Sequence, residues 1–286
     1  MIDAHIHLWR YAPSTHAWIG PGMEVLKRDF LPVDLDAQCA ALGVEGVVAV
    51  QAAQTLEENR FLLECAARTP RILGVVGWID LRAPDLEEVL DACCAQARFV
   101  GVRHIAQDEP DDAFLARPDF VRGVRRLAPR GLAYDLLAYS RQLPAAIALV
   151  DGCPEQQFVL DHLGKPRLVA GEFEPWAGWL ADLARRPNVV AKLSGLVTED
   201  DHRAWSRERV ARAIDHALEC FGPGRLMLGS DWPVCLLAAE QGEVLEHARS
   251  RLSTLSLDER ASIESGVARR AYRLADAGWT GGATRR

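Results

Sequence analysis

Residues 2–7, Ile2-Asp3-Ala4-His5-Ile6-His7, read as a short β-strand that runs straight into a pair of histidines. An open, doubly wound α/β sheet usually follows its first strand with a glycine-rich phosphate loop. Here the strand Ile2–His5 leads into His-Ile-His, and no GxGxxG occurs in the chain. The competing architecture for alternating strands and helices is a single (β/α)8 barrel, closed or somewhat distorted, with its active site at the C-terminal ends of the strands.

Seven further apolar runs extend that reading: Val44–Gln51, Ile72–Trp78, Phe99–His104, Leu132–Leu137, Gln157–His162, Asn188–Ser194 and Arg225–Asp231. Most are continuous rather than alternating, which is the pattern of parallel strands buried on both faces. Helical stretches separate them. Thr55-Leu-Glu-Glu58 has the capping-box pattern and opens Leu56–Arg68, which Pro70 stops. Pro84 opens another, and Asp119–Leu127, Pro144–Val150, Trp176–Ala184, Glu208–Cys220, Glu240–Leu252 and Asp258–Leu274 follow. No linker or composition shift divides the chain. Residues 1–275 are expected to form one barrel domain and residues 276–286 (DAGWTGGATRR) a flexible C-terminal tail.

The 286 residues are 49% hydrophobic and 26% charged, a globular composition that excludes disordered and fibrous chains. The net charge of −7 and the lack of a basic stripe argue against a nucleic-acid partner. No apolar run approaches the roughly 20 residues that span a bilayer, and no secretory signal pattern precedes Ile2. Seven cysteines without a CxxC pair read as free thiols, hence a cytoplasmic protein. Nothing in the sequence fixes the oligomeric state.

Reactive residues gather where a barrel would use them. His5 and His7 share a strand face. Strand four ends in Arg103-His104, strand six in Asp161-His162-Leu-Gly164-Lys165-Pro166, strand seven in Lys192-Leu-Ser194, and strand eight in Gly229-Ser230-Asp231-Trp232-Pro233. Each taken singly has a bland reading. Arg103 could pair structurally, Asp161 could cap a loop, Lys192 could snorkel outward, and Asp3 could brace the barrel or bond an imidazole. Five ionisable strand ends together are costly unless the groups meet one another or a ligand. Asp231, alone at the rim of an apolar strand, carries that inference best.

The motifs DAHIH, LDHLGKP and GSDWP, in that order, resemble the amidohydrolase superfamily over nearly the whole chain. The stretches from Trp18 to Met23, from Arg28 to Pro32 and from Lys192 to Glu199 are similar to the branch holding bacterial L-fuconolactonases and L-rhamnonolactonases. The resemblance implies hydrolysis of a sugar lactone to its aldonic acid. The superfamily's two-metal members carry Lys or Glu on strand four and His on strand five. This chain has Arg103-His104 and no histidine there, so a binuclear centre is not expected. His5, His7, His162 and Asp231 could hold one divalent cation, zinc foremost, or work without metal. Both readings stay open.

Asp231 is the expected general base, with His162, His104 and Arg103 as catalytic partners and Arg103, His104 or the imidazoles as oxyanion donors. Asp161 is a candidate to orient His162. Arg28, Gln51, Trp78, Lys192 and Trp232 are the expected substrate contacts, with Trp9, Trp18 and Tyr134 as further candidates. Two rival readings are a metal-dependent decarboxylase of the same branch and a non-catalytic sugar-binding barrel.

Overall fold

Eight strands form one parallel sheet in sequence order: β1 (Ile2–Ile6), β2 (Gly46–Val50), β3 (Ile72–Gly77), β4 (Phe99–Ile105), β5 (Ala133–Leu137), β6 (Phe158–Leu160), β7 (Val189–Leu193) and β8 (Leu226–Leu228). The structure, a computed structural model, describes residues 1–275, so the expected tail 276–286 lies outside the described residues. The sheet curls until its edges meet. Ile6 bridges Trp232, the His7 amide donates to the Trp232 carbonyl at 2.7 Å, and the Asp231 amide donates to the His5 carbonyl at 2.9 Å. The expected (β/α)8 barrel is therefore the fold, and its seam lies between two of the predicted site segments.

The strand runs are mostly apolar because both faces are covered. Ile2, Ala4, Val48, Val50, Val76, Ala133, Val159, Val190 and Met227 fill the lower barrel with Val267, Ala268, Ala271 and Tyr272 from the end of the chain. The alternate residues, such as Val47, Val75, Val102, Tyr134, Phe158 and Leu226, pack outward against the helices.

Those helices are α1 (Pro32–Leu42), α2 (Leu56–Arg68), α3 (Leu86–Cys94), α4 (Pro118–Val124), α5 (Leu143–Gly152), α6 (Trp176–Leu183), α7 (Arg207–Phe221) and α8 (Gln241–Arg251). The Thr55 hydroxyl accepts from the Glu58 amide at 3.2 Å and so caps α2. Glu58 does not complete the box, because its carboxylate accepts from the Ala52 amide just beyond β2. In α7, Val210, Ala213, Ile214, Ala217 and Phe221 form one buried stripe. Helix α1 has no counterpart in the sequence expectations. Its apolar residues are spread around it: Leu35 and Cys39 are buried while Val33 is 76% exposed. The last expected helix is three pieces, α9 (Leu257–Ala261), a π-helical turn (Ser262–Gly266) and α10 (Val267–Ala271). Among the described residues no helix is long and apolar enough to cross a membrane.

Asp3 shows what braces the seam. The β1–β2 register shifts between Asp3 and Ile6, which sends Asp3 and His5 to different faces although they lie two apart. The Asp3 carboxylate accepts from the Ser230 amide (2.9 Å), the Ser230 hydroxyl, the Gln241 side chain (3.0 Å) and the His5 amide (3.2 Å). One buried carboxylate thus ties β1 to the segment after β8 and to the start of α8. Burial still raises its pKa, against these hydrogen bonds.

Candidate active site

Two strands end two or three residues earlier than the sequence predicts. β6 stops at Leu160 and β8 at Leu228, because His162, Leu163 and Lys165 (φ 52°) and Asp231 (φ 62°) adopt left-handed backbone. Such non-glycine conformations are strained and persist where the surroundings impose them. Here they turn His162 and Asp231 toward the pair His5 and His7.

The Asp231 carboxylate lies 3.3 Å from His7 Nε2, 3.6 Å from His5 Nε2 and 3.9 Å from His162 Nε2. The two strand-one Nε2 atoms are 3.2 Å apart. Ligand atoms of His5, His162 and Asp231 all fall within 4.8 Å of one another. Each ring is held from behind. His7 Nδ1 lies 2.8 Å from the Val50 carbonyl, an acceptor only, so Nδ1 carries the proton and Nε2 presents its lone pair. His162 Nδ1 meets the Ser194 hydroxyl at 2.9 Å, and His5 Nδ1 meets Asp161 at 3.3 Å. Metal-binding imidazoles are usually fixed by such a bond at the remote nitrogen.

Glycines make room for the rings. A Cβ on Gly195, whose φ is +62°, would stand 2.3 Å from the His162 ring, and one on Gly229 would stand 2.9 Å from His5 Cβ.

Burial sets the proton inventory. Burial pushes His162 down to about 4, overriding the pull of Asp231 and Asp161. Burial likewise drives His5 well below the usual imidazole range, against Asp161. Burial would raise Asp231, but the facing imidazoles, His162 first, outweigh it and hold the carboxyl below the usual range. An ionised carboxylate therefore faces the unprotonated rings of His5 and His162 near neutral pH. Among the described residues no Lys or Arg nitrogen comes within 4 Å of Asp231. An enclosed carboxylate without a cation, ringed by imidazole lone pairs, is a donor set suited to one divalent ion.

A second ionic layer lies beneath. Lys192 Nζ contacts Asp135 at 2.6 Å, Asp161 at 2.9 Å and His5 Nδ1 at 3.2 Å. Tyr272 donates to Asp135 at 2.7 Å. Arg103 donates through Nη1 to Asp161 at 3.0 Å and through Nη2 to the Gln51 carbonyl, and its Nη1 lies 3.4 Å from His5 Nε2. Asp135 and Tyr272 are absent from the sequence expectations. The lone acid in Ala-Tyr-Asp135-Leu-Leu was a usable signal, since the same pattern singled out Asp231, whereas Tyr272 arrives from the far end of the chain.

Several expected contacts sit elsewhere. Lys192 is fully buried within this lower layer, so no substrate hydroxyl reaches it. Asp161 serves Arg103, Lys192 and His5 rather than orienting His162. His104 follows Arg103 on β4 and takes the opposite face. It stacks on Phe114 (4.8 Å), donates to Glu109 at 2.7 Å and accepts from Trp78 Nε1 at 3.4 Å, so it is a packing residue rather than an oxyanion donor. Trp232 is fully buried, edge-on to Phe30, and offers no face to a sugar. Gln51 is buried and donates to the Arg103 carbonyl at 3.3 Å. Arg28 is exposed, lies over the Phe30 ring and pairs with Asp34. Tyr134 points outward between Phe120 and Phe158. Trp9 is buried behind His7, and Trp18 packs edge-on against it. Trp78, just after β3, is partly exposed, with its indole nitrogen bonded to His104.

A parallel eight-stranded barrel with three imidazoles and a carboxylate gathered from the ends of its first, sixth and eighth strands defines a barrel hydrolase built around a His/Asp centre. The family model described as "Amidohydrolase" matches residues 2–274, and the chain belongs to this family. It is 44% identical over 284 residues to an L-fucono-1,5-lactonase of Burkholderia multivorans, covering 96% of each chain. It is 36% identical over 281 residues to an L-fucono-1,5-lactonase of Burkholderia ambifaria, covering 96% of this chain and 95% of the other. A crystal structure of an amidohydrolase from Burkholderia multivorans with bound zinc superposes with a TM-score of 0.90 at 44% identity, covering 96% of this chain and 99% of that one.

Proposed function

We infer that this protein hydrolyses a sugar lactone of the L-fucono-1,5-lactone type to the aldonic acid. The observation that carries the reading is the convergence of His5 and His7 from β1 and His162 from the end of β6 on Asp231 after β8, within 3.9 Å. The two lactonase relatives, matched along nearly their full lengths, supply the substrate class. A cytoplasmic location is part of the same reading.

His5, His7, His162 and Asp231 would hold one divalent ion, zinc by its nitrogen-rich donor set. Bound there, it supplies a water of lowered pKa and a polarised carbonyl. The Asp231 carboxylate takes the proton as the water oxygen bonds to the lactone carbonyl carbon. The carbonyl π pair moves onto oxygen, then returns as the ring C–O bond breaks. The proton on Asp231 passes to the departing ring oxygen, leaving a hydroxy acid. Arg103, fixed by Asp161 and Gln51, places a positive charge beside His5 on the inner wall, where it favours the developing oxyanion.

A pH-indicator assay on freshly prepared 1,4- and 1,5-aldonolactones, with and without chelator, tests the reading. Acid release from L-fucono-1,5-lactone, abolished by chelator and restored by zinc, is the expected result. Failure of every lactone under both conditions removes the assignment.

A further inference from the structure

Three loops on the β5–β7 side of the mouth carry polar groups that have no role in the centre around Asp231. Tyr139 follows β5, Lys165 ends the left-handed turn after β6, and Glu199 ends the short turn Val197–Glu199 after β7. Lys165 Nζ lies 3.1 Å from a Glu199 carboxylate oxygen and 5.2 Å above the Tyr139 ring centroid. Both charged side chains are 16% exposed. That value separates the pair from the sealed Lys192–Asp135 bridge, at 0%, and from surface pairs such as Arg185–Asp182, at 80% and 38%.

The pair also belongs electrically to the centre. Glu199 and Asp231 both favour the Lys165 ammonium, and Lys165 in turn disfavours a proton on His162. An ammonium with three donors beside a carboxylate that only accepts matches two neighbouring hydroxyls. One hydroxyl accepts from Nζ while the next donates to the carboxylate. The Tyr139 ring, with Arg141 over it at 4.8 Å as well, helps to hold the Lys165 ammonium in place.

We propose that Lys165 and Glu199, set over Tyr139, read two adjacent hydroxyls of the lactone ring and so select hydroxylated substrates. The proposal rests on the lactone-hydrolysis reading and names the part of the mouth that recognises the sugar.

The test compares K165M and E199Q with wild type on L-fucono-1,5-lactone and on δ-valerolactone, which has the same ring without hydroxyls. In each variant the ratio of kcat/KM for the two substrates should fall roughly 10–100-fold, the range for one charge-assisted hydrogen bond, mainly through KM for the sugar lactone. K165R, which keeps the charge and donors, should recover part of it. An unmoved ratio overturns the proposal, as does equal loss on both lactones. Calorimetric titration with L-fuconate, the open acid, reads the same subsite without turnover. Weaker binding by a similar factor in both variants is expected, and equal or absent binding in wild type and variants rejects the subsite. A wild type that opens no lactone but binds L-fuconate through Lys165 would instead remove the hydrolase reading alone.

Discussion

Two buried layers of charge lie one above the other in this barrel, and they are built oppositely. In the lower layer Asp135 and Asp161 each meet a cation: Lys192 contacts both, and Arg103 adds a second to Asp161. In the upper layer the charged partners of Asp231 within 4 Å are, among the described residues, imidazoles. Lys192, then His5 and Arg103, outweigh burial at Asp161 and hold its carboxyl well below the usual range. Burial pushes Asp135 up to about 6 despite Lys192. A paired buried carboxylate is structural, because removing its partner strands a charge. One ringed by lone pairs is completed by something that binds.

The contrast breaks most sharply at Asp231 itself. D231N should lower kcat/KM for lactone hydrolysis about 10³-fold or more, the scale of losing a general base, while the thermal midpoint stays within a few degrees of wild type. Steady-state kinetics paired with calorimetric melting checks both halves. A comparable loss confined to stability would place Asp231 in the same class as Asp135.

K192M should do the reverse. It leaves Asp135 and Asp161 short of a cation, and a broken buried pair costs roughly 3–5 kcal/mol. Urea unfolding should show that loss. Little change in the urea midpoint would mean that the lower layer does not hold the barrel together.

S194A removes the hydroxyl behind His162 and should weaken metal binding or turnover roughly 10–100-fold. Zinc competition against a chromophoric chelator measures it, and unchanged affinity would detach Ser194 from the centre.

Glu58 gives the smallest effect. It is a buried carboxylate whose bonds come from backbone amides, and burial lifts it from its ordinary 4.5 to about 7. Because the folded value lies above the unfolded one, Glu58 favours the fold below pH 4.5. That contribution is lost as the pH climbs toward 7. E58Q keeps an oxygen for the Ala52 amide but cannot ionise, so it should flatten the fall in urea midpoint between about pH 5 and about pH 7.5. Parallel curves for the two proteins would contradict the shift.

Much of this was legible beforehand, for physical reasons. Apolar runs covered on both faces announced the parallel barrel, and polar residues closing such runs announced His5, His7, His162 and Asp231. The failures follow from geometry that residue types do not encode. The register shift in β1 parts Asp3 from His5, and left-handed turns rather than strand continuation aim His162 and Asp231. His104, the strand neighbour of inward-facing Arg103, takes the opposite face, where it meets Phe114 and Glu109. Lys192 in Val-Val-Ala-Lys192-Leu looked like a strand end. It lies inside β7, where Asp135 and Tyr272 reach it from places that no local pattern connects. The Thr55 cap was readable, but the destination of the Glu58 carboxylate was not, because Ala52 becomes its partner only once β2 and α2 are packed.

Metal content per chain bears most directly on the upper layer. Wild type and D231N, loaded with zinc, dialysed and measured by atomic emission, should hold one ion per chain and markedly less, respectively. Two ions in wild type, or full occupancy in D231N, would contradict a single centre completed by three imidazoles and Asp231.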